Sequence, residues 1–195
     1  MTDIEIPHVE IRTTHYYRDG EFVFGHASEA YVTEMEQRAM DICFTLGEQA
    51  LQDGNPPIGA VLINNETGQF WGAKTIDKTT PKLLGHAEVL AYEMAHSNND
   101  VSDDLRNCTL VSTAQPCNTC ISPYAEGKIG KVVYAAPRWA IFQLAGIMRK
   151  RTINMHELLL DGDTETLVIE GYQAEKCLGN FALWKILKEA GHVKA

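Results

Sequence analysis

Cys108-Thr109-Leu110-Val111-Ser112-Thr113-Ala114-Gln115-Pro116-Cys117-Asn118-Thr119-Cys120 is the stretch on which the fold turns. Its first half, Cys108 to Thr113, is apolar and β-branched and predicts a buried strand. A short helix is expected from Cys117 to Glu126, with Gly127 as its stop. Lys131-Val132-Val133-Tyr134-Ala135 then reads as the next strand. Strand, helix and strand in quick succession point to an α/β sheet.

Working outward, residues 28–53 predict a helix, because Met35, Ala39, Ile42, Leu46 and Ala50 recur at helical spacing. Ser28 is its expected cap and Gly54 its stop. Asn55-Pro56-Pro57 forces a turn into the apolar run Ile58 to Ile63, and Asn64 to Gly68 turns the chain back into a second strand over residues 69–73. Helical spacing resumes from Gly85 to about His96. Towards the C-terminus Thr166-Leu167-Val168-Ile169 reads as a strand, and a last helix covers about residues 173–190. This order predicts a three-layer α/β/α sandwich around a mixed sheet of about five strands. Residues 1–27 are expected to be an irregular lead-in to a single domain spanning 28–195, with alternating stretches at 9–12 and 21–24 that could form a short ribbon.

The chain has 195 residues, 45% of them hydrophobic and 22% charged, which is globular composition. Seventeen Lys+Arg against 26 Asp+Glu give a formal charge of −9. That balance argues against a nucleic acid partner and for a small substrate of little charge. The start has neither a basic region nor an apolar one, so no secretory signal is expected. No apolar run approaches the ~20 residues that span a bilayer. The expected setting is cytoplasmic and reducing, where cysteine pairs read as metal ligands before disulfides. Cys43, Cys108 and Cys177 fall on apolar patterns and read as buried small hydrophobes. Arg149-Lys150-Arg151 reads as a solvated helix end.

His86-Ala87-Glu88 opens one helix, and Pro116-Cys117-Asn118-Thr119-Cys120 opens another about thirty residues later. One imidazole and two thiolates leave one tetrahedral position of a zinc ion for water or hydroxide, the pattern of a catalytic site. Cys117 and Cys120, three apart at a helix start, can project to one side, near a positive helix end that favours thiolate. Glu88 is not needed as a ligand; its expected role is to carry protons between the water, a ring nitrogen and a departing amine. His-x-Glu followed by Pro-Cys-x-x-Cys is the zinc deaminase signature.

On these segments, with Pro57 to Ile63 and Gly130-Lys131-Val132-Val133-Tyr134, the chain resembles the cytidine deaminase-like superfamily over roughly residues 30–190. It is most similar to the branch of cytosine deaminases, guanine deaminases and tRNA adenosine deaminases. The resemblance implies hydrolytic loss of ammonia from a nucleobase, nucleoside or related amino-heterocycle, one Zn2+ per chain on His86, Cys117 and Cys120, Glu88 as the proton shuttle, and a homodimer. Relatives usually carry an Asn after the second strand, whereas this chain has Thr75 and Asp77 in that neighbourhood. Gln115 stands where many relatives have Glu, and Trp139 follows the fourth strand. Thr75, Asp77, Ala87, Gln115, Pro116 and Trp139 are therefore the expected substrate contacts, although Trp139 reads first as a core or interface residue. Two alternatives are a tRNA adenosine deaminase and a non-catalytic zinc-binding paralogue, the latter requiring a fourth protein ligand such as Cys108 or His96.

Overall fold

The alternation and helical spacing of the sequence resolve, in a computed structural model that describes residues 4–16, 22–26, 31–76, 84–97, 101–146, 155–161 and 165–193, into strands and helices in strict layers. In chain order they are β1 (Arg12–Tyr16), β2 (Phe22–His26), α1 (Glu34–Gln52), β3 (Gly59–Asn64), β4 (Gln69–Lys74), α2 (Ala87–Ser97), β5 (Cys108–Ala114), α3 (Asn118–Glu126), β6 (Lys131–Ala136), α4 (Arg138–Ala145), α5 (Met155–Asp161), β7 (Thr166–Glu170) and α6 (Ala174–Glu189). The sheet has seven strands in the order β2-β1-β7-β6-β5-β3-β4. β5, β6 and β7 run parallel, and the other neighbours pair antiparallel, so the sheet is mixed as expected.

Successive strand residues face opposite sides, and this builds two cores. Val61, Ile63, Val111, Val133 and Ile169 pack with α1, α4 and α6 on one side. Ala60, Leu62, Leu110, Val132 and Val168 pack with α2, α3 and α5 on the other. β5 is buried along its whole length because both of its faces are covered. Cys43, Cys108 and Cys177 are buried free thiols in these cores, as their apolar patterns imply.

The expectations that fail do so at the chain start and in the helix caps. The sheet exceeds five strands because residues 12–16 and 22–26, expected to be irregular, form a hairpin whose first strand pairs with β7. The edge of β7 would otherwise leave its amides and carbonyls unpaired. The first helix begins at Glu34, and Thr33 rather than Ser28 caps it; Ser28 lies outside the described residues. The Thr33 hydroxyl accepts from the Glu36 amide at 3.2 Å while the Glu36 carboxylate accepts from the Thr33 amide at 2.9 Å, a reciprocal capping box. Lys131 Nζ, at the start of β6, donates to the same Glu36 oxygen at 2.8 Å and to the Tyr31 carbonyl at 2.9 Å, tying α1 to the sheet. α1 also lies so close to β3 that a Cβ on Gly59 would come within 2.1 Å of the Cys43 carbonyl oxygen. The basic run at 149–151 lies outside the described residues. Among the described residues no helix is long and apolar enough to cross a membrane.

Candidate metal and catalytic site

The site forms where α2 and α3 begin. The Leu90 amide donates to the His86 carbonyl at 3.1 Å, and the Ile121 amide to the Cys117 carbonyl at 2.9 Å. His86 and Cys117 therefore both occupy N-cap positions, one residue before the helices in which the sequence places them. Cys120 lies one turn into α3, so its sulfur returns towards that of Cys117. His86 Nδ1 is 3.2 Å from Cys120 Sγ and 3.5 Å from Cys117 Sγ, and the two sulfurs are 3.2 Å apart.

This triangle fits a zinc ion. Zinc–sulfur bonds of about 2.3 Å and zinc–nitrogen bonds of about 2.0 Å place tetrahedral donors roughly 3.5–3.8 Å apart, close to the separations found. One nitrogen and two sulfurs are also the donor types zinc favours. Among the described residues no fourth His, Cys, Asp or Glu joins the group. Cys108 sits at the opposite end of β5, and His96 near the far end of α2, its Nδ1 3.0 Å from the Tyr92 carbonyl oxygen. Cys120 is buried while His86 and Cys117 are partly exposed, so the group opens towards solvent on one side.

Electrostatics divide the two sulfurs. Cys117 is pushed down to about 3 by the hydrogen bond from Cys120, with further lowering from His86, which favours its thiolate form. Cys120 is raised by that same bond and by burial. Glu88, in the first turn of α2, is 3% exposed. Burial raises its carboxyl above the usual range, partly opposed by its backbone hydrogen bond and by His86. Its Oε2 lies 3.5 Å from Cys120 Sγ, Ser112 Oγ donates to its Oε1 at 3.2 Å, and Tyr124 Oη donates to its backbone carbonyl at 2.8 Å.

The structure thus brings His86, Glu88, Cys117 and Cys120 together, while the expected substrate contacts meet different surroundings. Thr75 follows β4, is 1% exposed, and its Oγ1 has no hydrogen-bond partner among the described residues. Its neighbour Ile76 donates its amide to the carbonyl of Gly85 at 2.8 Å, directly before His86. Asp77 lies outside the described residues. The Ala87 methyl is fully buried in the core under α2, and Pro116 is buried beside Cys117. Gln115 Oε1 accepts from the Arg138 amide at 2.9 Å, which gives this side chain the task of capping α4. Trp139 does not enter the core: it is 55% exposed, in the first turn of α4, at the sheet end that carries Cys117. Ser112 and Tyr124 are the site residues that sequence reasoning missed. The available signal for Ser112 was its place on the face of Leu110, a hydroxyl where an apolar residue is expected.

Comparison with known proteins agrees with this geometry. The cytidine and deoxycytidylate deaminase zinc-binding region matches residues 33–136. The tRNA-specific adenosine deaminase 2 of Xenopus tropicalis is 27% identical over 152 residues, covering 75% of this chain and 86% of that protein. The tRNA(Ile)-lysidine synthase of Deinococcus radiodurans is 29% identical over 109 residues, 56% of this chain, and the match spans only 19% of that longer protein. Among solved structures, a guanine deaminase from Nitrosomonas europaea superposes with a TM-score of 0.58 at 17% identity, over 80% of this chain and 86% of the other, and shares the fold. The chain belongs to the cytidine and deoxycytidylate deaminase family.

Proposed function

We propose that the chain is a zinc-dependent hydrolytic deaminase of a free nucleobase, nucleoside or related amino-heterocycle. The observation that carries this reading is Glu88, a buried carboxylate beside the three-donor group that the metal does not require. A site that only held zinc would have no use for it, and burying a carboxylate costs stability. Zinc on His86, Cys117 and Cys120 would supply a Lewis acid that makes water nucleophilic near neutral pH. Glu88 accepts a proton from the attacking water and passes it to a ring nitrogen; it then takes the remaining hydroxyl proton of the adduct and delivers it to the exocyclic amine as the carbonyl forms and the C–N bond breaks. Water is consumed, an amino group is replaced by a carbonyl oxygen, and ammonia leaves.

A tRNA adenosine deaminase is the second reading, favoured by the similarity to the frog enzyme. The formal charge of −9 weighs against it, since a folded RNA needs a basic surface. The proposal includes a homodimer in a reducing cytoplasmic compartment, where the thiolates would stay free of disulfides.

The test is ammonia release by the zinc-loaded protein from cytosine, guanine, adenine, their nucleosides, amino-pterins, amino-triazines and unmodified tRNA, with Glu88→Ala as the blank. Turnover of a small heterocycle that vanishes in the blank supports the first reading. Turnover of tRNA alone supports the second. Wild-type rates in Glu88→Ala would remove this residue from the chemistry.

A further inference from the structure

We infer that Ser112 is a positioning residue that makes the two oxygens of Glu88 unequal: its hydroxyl anchors Oε1 and leaves Oε2 as the oxygen that carries protons. The inference rests on the deaminase reading for its chemistry and on the geometry of β5 for its mechanics.

Ser112 is fully buried in β5, and its backbone is fixed on both sides, in register with Ala60 of β3 and Tyr134 of β6. Its hydroxyl therefore projects from a strand paired on both sides towards α2. A serine hydroxyl has one proton to give. The Ala114 amide donates to Ser112 Oγ at 3.3 Å and occupies its acceptor side, and Oγ donates to Glu88 Oε1 at 3.2 Å. The hydroxyl is thus polarised in one direction, from sheet to carboxylate.

Glu88 is held twice. Tyr124 Oη fixes its backbone carbonyl from α3, and Ser112 fixes the end of its side chain from β5. Between these points lie three rotatable bonds, which in a buried carboxylate with no second anchor would be free to turn the working oxygen away. Oε2 faces Cys120 Sγ at 3.5 Å, on the side of the three donors. A neutral hydroxyl suits the anchoring task. It keeps its own proton near neutral pH and, unlike a lysine or histidine, adds no charge that would fix Glu88 in one protonation state.

The test compares the zinc-loaded wild type with Ser112→Ala, Ser112→Thr and Ser112→Val. Three readouts are taken: zinc per chain, kcat and KM on the substrate found by ammonia release, and the Glu88 conformation in crystal structures. Losing a neutral donor to a charged acceptor predicts that Ser112→Ala keeps one zinc per chain and a KM within about twofold, while kcat falls about ten- to hundredfold. In its crystal structure the Glu88 side chain should leave the single wild-type position. Ser112→Thr should recover both properties and Ser112→Val should not. Threonine and valine have the same shape, so that pair isolates the hydroxyl even where the alanine variant does not fold. An unmoved Glu88 with unchanged kcat in Ser112→Ala overturns the inference, and so does equal loss in the Thr and Val variants. If the wild type releases ammonia from nothing tested, the deaminase reading fails, while the Glu88 conformation in Ser112→Ala still decides the anchoring.

Discussion

Thr75→Val should make the protein more stable and less active, and the two signs together are diagnostic. The side chain is 1% exposed, and its hydroxyl has no partner among the described residues. A buried hydroxyl without a hydrogen bond costs about 1–3 kcal/mol. Valine keeps the shape and removes the polar atom, so a gain of about 1–2 kcal/mol is expected. For a chain of this size each kcal/mol moves Tm by roughly 2–4 °C, so thermal unfolding should shift upward by roughly 2–8 °C. The backbone around Thr75 is tied down, its amide to the Ile58 carbonyl at 3.0 Å and that of Ile76 to Gly85 beside His86, so the hydroxyl is fixed near the site. A substrate hydrogen bond lost at Thr75 is worth about 0.5–1.5 kcal/mol, or roughly a two- to tenfold fall in kcat/KM. Scanning calorimetry and steady-state kinetics on one preparation read both quantities. A fall in Tm would refute the reasoning at its base, since it would mean that the hydroxyl is bonded within the fold. A rise in Tm with unchanged kcat/KM would refute its functional half.

Lys131→Met should strip Glu36 of its ion partner while both side chains stay mostly covered, at 15% and 4% exposure. The expected loss is about 3 kcal/mol, read as a lower urea midpoint at unchanged slope, and Lys131→Met with Glu36→Leu should recover part of it, less the lost carboxylate half of the Thr33 capping box. Chelation should abolish turnover and lower Tm, and one equivalent of zinc should restore both. Iodoacetamide should label Cys117 in the chelated protein and spare it when zinc is restored, as peptide mass spectrometry would show. Cys108, raised to about 11, and Cys177, raised to about 12, both by burial, should stay unlabelled near pH 8; their labelling should accelerate as pH rises, because only the thiolate reacts.

Two kinds of information separate what the sequence made legible from what it did not. The hairpin of β3 and β4, the strand β5 and the Cys117–Cys120 pair are written in local pattern, because alternation, turn residues and two cysteines one helical turn apart need no distant partner. α4 went unseen because its N-terminal amide is capped from the loop after β5, by Gln115, 23 positions earlier in the chain. The β1–β2 ribbon is too short for its alternation to decide between loop and strand; it becomes sheet by pairing with β7, which follows about 150 residues later. The first helix shows the reverse case, since Thr33 and Glu36 carry a local capping-box pattern that competed with a plausible Ser28. Ser112 and Tyr124 gain meaning only when α2 and α3 lie over β5, which no window of sequence contains.

That same split explains why the chemistry is easier to read than the substrate. Two helix N-termini meet at His86 and Cys117, each bringing partial positive charge to a place where two sulfurs and a carboxylate gather. Zinc bound by two thiolates is formally neutral, and an ionised Glu88 leaves the centre one charge negative, which the helix ends offset. A neutral ring meets little electrostatic opposition there, whereas a phosphate-bearing substrate needs a cation further out. At the sheet end that carries Cys117, Arg138 stands beside the exposed Trp139 and lies over the Phe142 ring at 5.3 Å. The proposed reacting centre is thus built from secondary-structure ends, which constrain sequence tightly. On the proposed reading, recognition falls to side chains such as Thr75 and Trp139, which lie outside the strands, and so the substrate is the property that one sequence specifies least.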